Sequence, residues 1–316
     1  MASIREVKTR LGAVRNIGQI TKAMEVVSAT RMRKAQGRAL DSRPYAFAAL
    51  TALSDLLAYA PEHLLERSAL VSPRPVRNIL LVLVASDRGL AGSFNAGIMR
   101  SADTYISQLE KSETRFPIKL MLVGKKLSGW ASRSGREVVN MFTNFGDYAT
   151  PEEIAPLGEM IVDGYISGAW DKVVVISTHF KTTLAQFTVT REVLPMHIDG
   201  VRETVREVVP EHGRFSELRN KVINGNDKEK LTEYIFEPSP GAVLDSLLPH
   251  LLNMQLLHLV LEAGASEHSA RMVAMKNAST NAEELSEELS LEYNKARQAA
   301  ITKEMIEITS AQSAMS

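Results

Sequence analysis

The chain contains no cysteine, which excludes disulfides, thiolate metal sites, cysteine nucleophiles and thiol-based redox control in one step. It has no net charge either. Its 37 basic and 37 acidic residues balance, so no global field draws it to nucleic acid or an anionic surface. Long hydrophobic runs are missing: the longest, Ile79 to Ala85, is far too short to span a bilayer. The opening stretch "MASIREVKTRLGAV" has no apolar segment of signal-peptide length. Residues 2–58 hold only three glycines and one proline. Together these absences lead to the expectation of a soluble intracellular chain that begins in helix.

What is present divides the chain into three regions. In the first, apolar residues fall at Ile4, Val7, Leu11, Val14, Ile17, Ile20, Met24 and Val27. Those steps of three and four predict one apolar stripe on a long helix, with Pro44 as a kink or junction. In the middle, "NILLVLVAS" (78–86), "PIKLMLVG" (117–124), "REVVNMF" (136–142) and "DKVVVISTHF" (171–180) read as strands, with helices over 93–111 and 151–170. Strands alternating with helices predict βαβ units and a mainly parallel sheet. "AQFTVTREVL" (185–194) follows too soon for a crossover and is expected as an antiparallel edge strand. Residues 197–230 are polar and mixed in charge, the expected surface excursion.

From about Pro240 the helical pattern returns to the end, with Pro249 expected to interrupt it. Leu285, Leu289, Tyr293, Ala296 and Ala300 form a second stripe, continued by Ile301, Met305 and Ile308. Residues 1–43 carry ten Lys/Arg against three Asp/Glu, and residues 281–316 carry three against seven. An antiparallel coiled coil between the two ends would bury both stripes and bring the opposite charges together. The expected fold class is therefore α/β plus a long coiled coil. Residues 1–60 and 239–316 supply the N- and C-terminal helices, and 77–238 a Rossmann-like α/β domain.

Signals for chemistry are few. The glycines of "SDRGLAGSFNAG" (86–97) match neither the dinucleotide fingerprint nor the P-loop, and read as a tight strand-to-helix turn. The seven histidines form no HxxxH or HExxH pair, so satisfied structural histidines are expected. The glutamates at 283, 284, 287 and 288 read as a solvated helix face. No cofactor, metal or catalytic centre is expected.

Four segments together resemble hallmark stretches of the gamma subunit of F-type ATP synthase. They are "IREVKTRLGAVRNIGQITKAMEVVSATRMRKAQ" (4–36), "SDRGLAGSFN" (86–95), "ARMVAMKNASTNA" (270–282) and "YNKARQAAITKEMIEI" (293–308). That resemblance implies a rotor shaft without an active site of its own, present once per complex. It couples ion flow through the membrane c ring to ATP synthesis or hydrolysis in a hexamer of alpha and beta subunits. It implies contact with the epsilon subunit and peripheral membrane association, and the opening stretch, unlike a transit peptide, leads to the expectation of the cytoplasmic face of a bacterial membrane. By the same resemblance Arg297, Gln298, Thr302 and Glu304 meet the stator, as do Met24 and Arg271, while Phe236 and Glu237 belong to the foot against the c ring. Met24 reads equally as a coiled-coil core residue. Two rival readings stay open: a nucleotide-binding enzyme with an oligomerisation stalk, and a passive coiled-coil scaffold.

Overall fold

The computed structural model describes residues 4–41, 68–111, 116–145, 149–183, 185–196 and 237–315. Pro44, Phe236 and the polar stretch 197–230 lie outside them. The elements in chain order are α1 (Ile4–Asp41), β1 (Ile79–Val84), α2 (Phe94–Lys111), β2 (Ile118–Val123), α3 (Ser128–Ser134), β3 (Val138–Phe142), α4 (Pro151–Ile166), β4 (Lys172–Phe180), β5 (Gln186–Leu194) and α5 (Pro240–Met315). The chain forms two compact units, Arg31–Ala270 and Met1–Thr30 with Arg271–Ser316. Helices α1 and α5 contribute to both.

The first unit is built on a five-stranded sheet ordered β3-β2-β1-β4-β5. β1 pairs in parallel with β2 and β4, β2 pairs in parallel with β3, and β5 is the antiparallel edge, as its short connection requires. Every residue of β1 is buried, which is why its sequence runs apolar without alternation. Phe94, Ile98, Ala102 and Ile106 of α2, spaced four apart, supply that helix's buried face. Helix α4 starts in a capping box, Thr150 and Glu153 each bonding the other's backbone, with Pro151 at its first position.

The approach to β1 is fixed by charge. Asp171 accepts from the backbone N–H groups of Arg77 and Asn78 at 2.9 and 3.0 Å. Arg74 pairs with Asp171 and donates to the carbonyls of Tyr165 and Trp170. Burial opposes ionisation of Asp171, but these donors outweigh it and hold the carboxyl below its ordinary range.

Helix α5 does not stop at Pro249 but contains it. The missing N–H and the ring clash are tolerated where Leu248, Leu251 and Leu252 are buried beside it. From Leu251 to Ser269 nearly every side chain of α5 is buried or half-buried, the pattern of a helix enclosed on most sides. One side of this stretch is polar. Glu262 Oε2 lies 2.9 Å from His179 Nδ1 on β4, and Oε1 lies 3.2 Å from His258 Nε2. The second approach lacks hydrogen-bond alignment, so neither ring nitrogen of His258 has a hydrogen-bond partner. His258 is held by its ion pair with Glu262 rather than by an aligned hydrogen bond. Burial would raise the Glu262 carboxyl, but the two imidazoles outweigh it and hold it at about 2.

In the second unit α1 and α5 run antiparallel. Val7 and Leu11 cluster with Leu289, flanked by Val14 and Tyr293. Arg15 donates to Ser286, and a Cβ on Gly18 would stand 3.4 Å from that of Ala282. The pairing residues of α1 follow the heptad positions 7, 11, 14 and 18, and Thr21 and Ser28 at later turns are buried. This overturns part of the predicted stripe. Ile17, Ile20 and Val27 are 52, 59 and 50 % exposed, and Leu285 on α5 is 42 % exposed. Consecutive steps of three lag the helical turn, so Ile17 and Ile20 rotate off the seam. Past the Val7–Leu11–Leu289 cluster, small residues take the seam and branched apolar ones the outside.

Truncating Leu11 to Ala should destabilise the helix pair by about 2–3 kcal/mol, whereas Ile20→Ala should change it by less than about 0.5 kcal/mol. Amide hydrogen exchange along α1 checks both. The depressed Glu262 value also has a direction in pH. It lies below the ordinary 4.5, so its contribution is complete above pH 4.5 and is lost as pH falls from there toward 2. That loss is on the order of 3 kcal/mol, and Glu262→Gln should flatten this acid limb in unfolding curves.

Candidate functional site

Two places in the structure could carry function: the carboxyl end of the sheet, and the outer surface of the helix pair. At the first, the turn after β1 is folded by its own side chains. Ser86 and Asn95 exchange hydrogen bonds across it, and Lys126 N–H donates to Ser86 O at 3.0 Å. Gly124 ends β2 at φ +99°, where a Cβ would lie 2.2 Å from Ala85 O, so no other residue fits. Beside these turns is a cleft of about 250 Å³ that includes Asp87, Arg88, Phe142 and His268 in its wall.

This is the position at which α/β sheets bind nucleotides, through backbone donors aimed at phosphate. Here Asp87 takes the donors. Its Oδ1 accepts from Lys125 N–H at 3.0 Å and its Oδ2 from Asn144 N–H at 2.8 Å. The chain's own carboxylate thus stands where an anionic ligand would, and couples the ends of β1, β2 and β3. Sequence reading treats Asp87 only as part of a turn, and its acidic side chain just after a strand is the available signal. Among the described residues no group of His, Cys, Asp and Glu is arranged to hold a metal.

The helix pair carries the other sequence-predicted residues. At the seam, α1 and α5 match nearly one residue for one, so Ile4 stands opposite the region of Ala296. Beyond it α5 continues from Arg297 to Met315, about 28 Å at 1.5 Å per residue. Every side chain from Arg297 to Ser310 is exposed. The helical repeat sorts them into faces: Arg297, Ile301, Glu304 and Ile308 share one, and Gln298, Thr302 and Met305 lie on the next. Thr302 Oγ1 donates back to Gln298 O at 2.9 Å, which orients that second face.

Met24 is half-buried and follows Ile17 and Ile20 on the outer stripe of α1, at steps of three and four that continue to Val27. Arg271 is only 7 % exposed, so its side chain is enclosed rather than presented. Glu237 is exposed just before α5, where the Ser239 hydroxyl accepts from Ala242 N–H. The structure therefore groups the four C-terminal residues, sets Met24 on another helix, and encloses Arg271.

The family profile for ATP synthase matches residues 3–315. The chain is 39 % identical to the ATP synthase gamma chain of Roseiflexus castenholzii, covering 100 % of this chain and 99 % of that one. The chain belongs to the ATP synthase gamma-chain family. Gamma chains of Opitutus terrae and Dehalococcoides mccartyi are 38 and 37 % identical over nearly their full lengths. Among solved structures, a chain of the Euglena gracilis mitochondrial ATP synthase superposes with TM-score 0.63 at 17 % identity, covering 99 % of this chain and 94 % of that one. One from the Tetrahymena thermophila central stalk and c ring gives 0.57 at 23 %, covering 82 and 99 %. These two likenesses bear on the fold.

As a gamma-chain family member the protein belongs to the ATP synthase, an assembly to which the catalysis belongs. No helix among the described residues is long and apolar enough to cross a membrane. Asp87→Ala should leave two backbone donors unpaired and lower stability by about 1–3 kcal/mol. Calorimetry of the unmodified isolated chain with ATP or NAD should show no saturable binding; a stoichiometric isotherm would restore the nucleotide-enzyme reading.

Proposed function

We propose that the chain is the rotor shaft itself, without an active site of its own, turning inside a hexamer of alpha and beta subunits. The observation that carries this reading is the stretch Arg297–Ser310, a helix end exposed on all sides with polar heads and apolar side chains interleaved on each face. A soluble chain does not leave Ile301, Met305, Ile306 and Ile308 some 50–64 % exposed in one short stretch without a surface to meet them. Arg297 and Gln298 catch polar loops of a beta subunit, and Thr302 and Glu304 make neighbouring contacts higher on the shaft.

Met24, with Ile17, Ile20 and Val27, supplies an apolar bearing stripe. Arg271 supports the helix from within rather than reaching outward. Each charged contact is screened and weak, which lets the surface slide. The asymmetry of the shaft then biases each site's affinity in turn, a coupling of binding equilibria through one rigid element.

The foot, with Phe236 and Glu237, rests on the c ring and meets the epsilon subunit, at the cytoplasmic face of a bacterial membrane. A passive scaffold would share the coiled coil but not the stoichiometry. Tagged chain should co-purify with three alpha and three beta subunits per copy; equimolar or absent partners would contradict the reading. In that complex Arg297→Ala removes a charge-assisted contact of about 1–2 kcal/mol and should slow ATP-driven turnover on the order of tenfold. Assembly should remain intact, as judged by gel filtration.

A further inference from the structure

The face of α5 that packs on β4 carries a row of buried polar side chains. His258, Glu262, Ser266 and Ser269, at steps of four, four and three, are all at most 8 % exposed. Ser266 Oγ donates to Thr178 O at 3.4 Å and Ser269 Oγ to Thr183 O at 2.7 Å. Glu262 bonds His179 and approaches His258. Thr178 Oγ1 and both His258 ring nitrogens are buried without hydrogen-bond partners. Such a seam is a poor way to gain stability, since well-packed apolar side chains in its place would hold the helix at least as firmly.

Directional bonds do something that apolar packing does not. A helix lying in an apolar groove turns about its axis by small angles at little cost, whereas each donor–acceptor pair here fits one rotation and one axial register. Buried polar groups of this kind serve register in other helical assemblies. We propose that the His258–Glu262–Ser266–Ser269 seam is a torsional key. It fixes the rotation of α5 about its own axis against β4, so that torque delivered to the α/β unit enters the helix without slip. This deepens the rotor reading and rests on it.

The test uses the complete chain assembled with its partners, the end of α5 held in the hexamer and a bead attached to the α/β unit. The angular spread of the bead under thermal motion reports the stiffness of the connection. In the double variant His258→Leu with Glu262→Met, the free chain should melt at or above the parent temperature, assemble and hydrolyse ATP. Its angular spread should nevertheless widen about twofold, because directional coupling has been lost while packing is kept. A spread equal to the parent's overturns the key.

Should the double variant fail to fold, the decision passes to His179→Ala and to Ser269→Ala, each of which removes one directional contact. A wider spread in either supports the key, and an unchanged spread in both overturns it. The rotor reading is judged separately, on the parent. Parent complexes that hydrolyse ATP while the bead never turns contradict that reading and the key with it, whereas normal rotation with an unaltered variant spread contradicts the key alone.

Discussion

The close approach of α1 and α5 at Gly18 and Ala282 governs the helix pair, its thickness and the side chains it turns outward. With no side chain on Gly18, a Cβ there would only just reach that of Ala282, so the backbones come together on small groups. A slender pair results, and slenderness has a chemical consequence. A seam made of Gly18, Thr21, Ser28 and Ala282 cannot bury the branched apolar residues of the same helices, so Ile17, Ile20, Val26 and Val27 face outward. Two long helices with this polarity gain little stability from each other outside the Val7–Leu11–Leu289 cluster. The missing burial has to come from surrounding surfaces.

The α/β unit shows why fold class and function separate. Its sheet order and parallel core are those of nucleotide-binding domains, yet the donors at the carboxyl end of the strands are taken up by Asp87. The same position that elsewhere recognises phosphate here ties three strand ends together. A scaffold suited to binding serves as a stiff body, and the buried polar seam between α5 and β4 gives that body a defined angle to the helix segment packed on it.

Much of this is legible in the residues. The continuous apolar run of β1 announces a central buried strand, and the short link between β4 and β5 announces an antiparallel edge; both follow from hydrogen-bonding geometry that a sequence displays directly. The outward rotation of Ile17 and Ile20 is not legible. Counting apolar steps assumes that the largest side chains face the partner helix, and a seam of small residues reverses that rule. The passage of α5 through Pro249 is hidden because the penalty is local and visible, while the compensating burial around Leu248 and Leu252 is tertiary. Likewise Asp87 and Glu262 owe their importance to partners far away in the chain. Of the candidate contact residues, the exposed quartet on the last turns is recoverable from its family motif, whereas the enclosure of Arg271 needs the structure.

The absence of cysteine allows a direct measurement of the central claim, that the helix pair is thin, inside-out and enclosed by its partners. Single cysteines placed at Ile20 and at Leu11 can be alkylated in the free chain and in the assembled complex. The account predicts fast labelling of Ile20→Cys in the free chain, sharply slowed on assembly, and slow labelling of Leu11→Cys in both. Rapid labelling of Leu11→Cys in the free chain, or equal rates for Ile20→Cys before and after assembly, would contradict it.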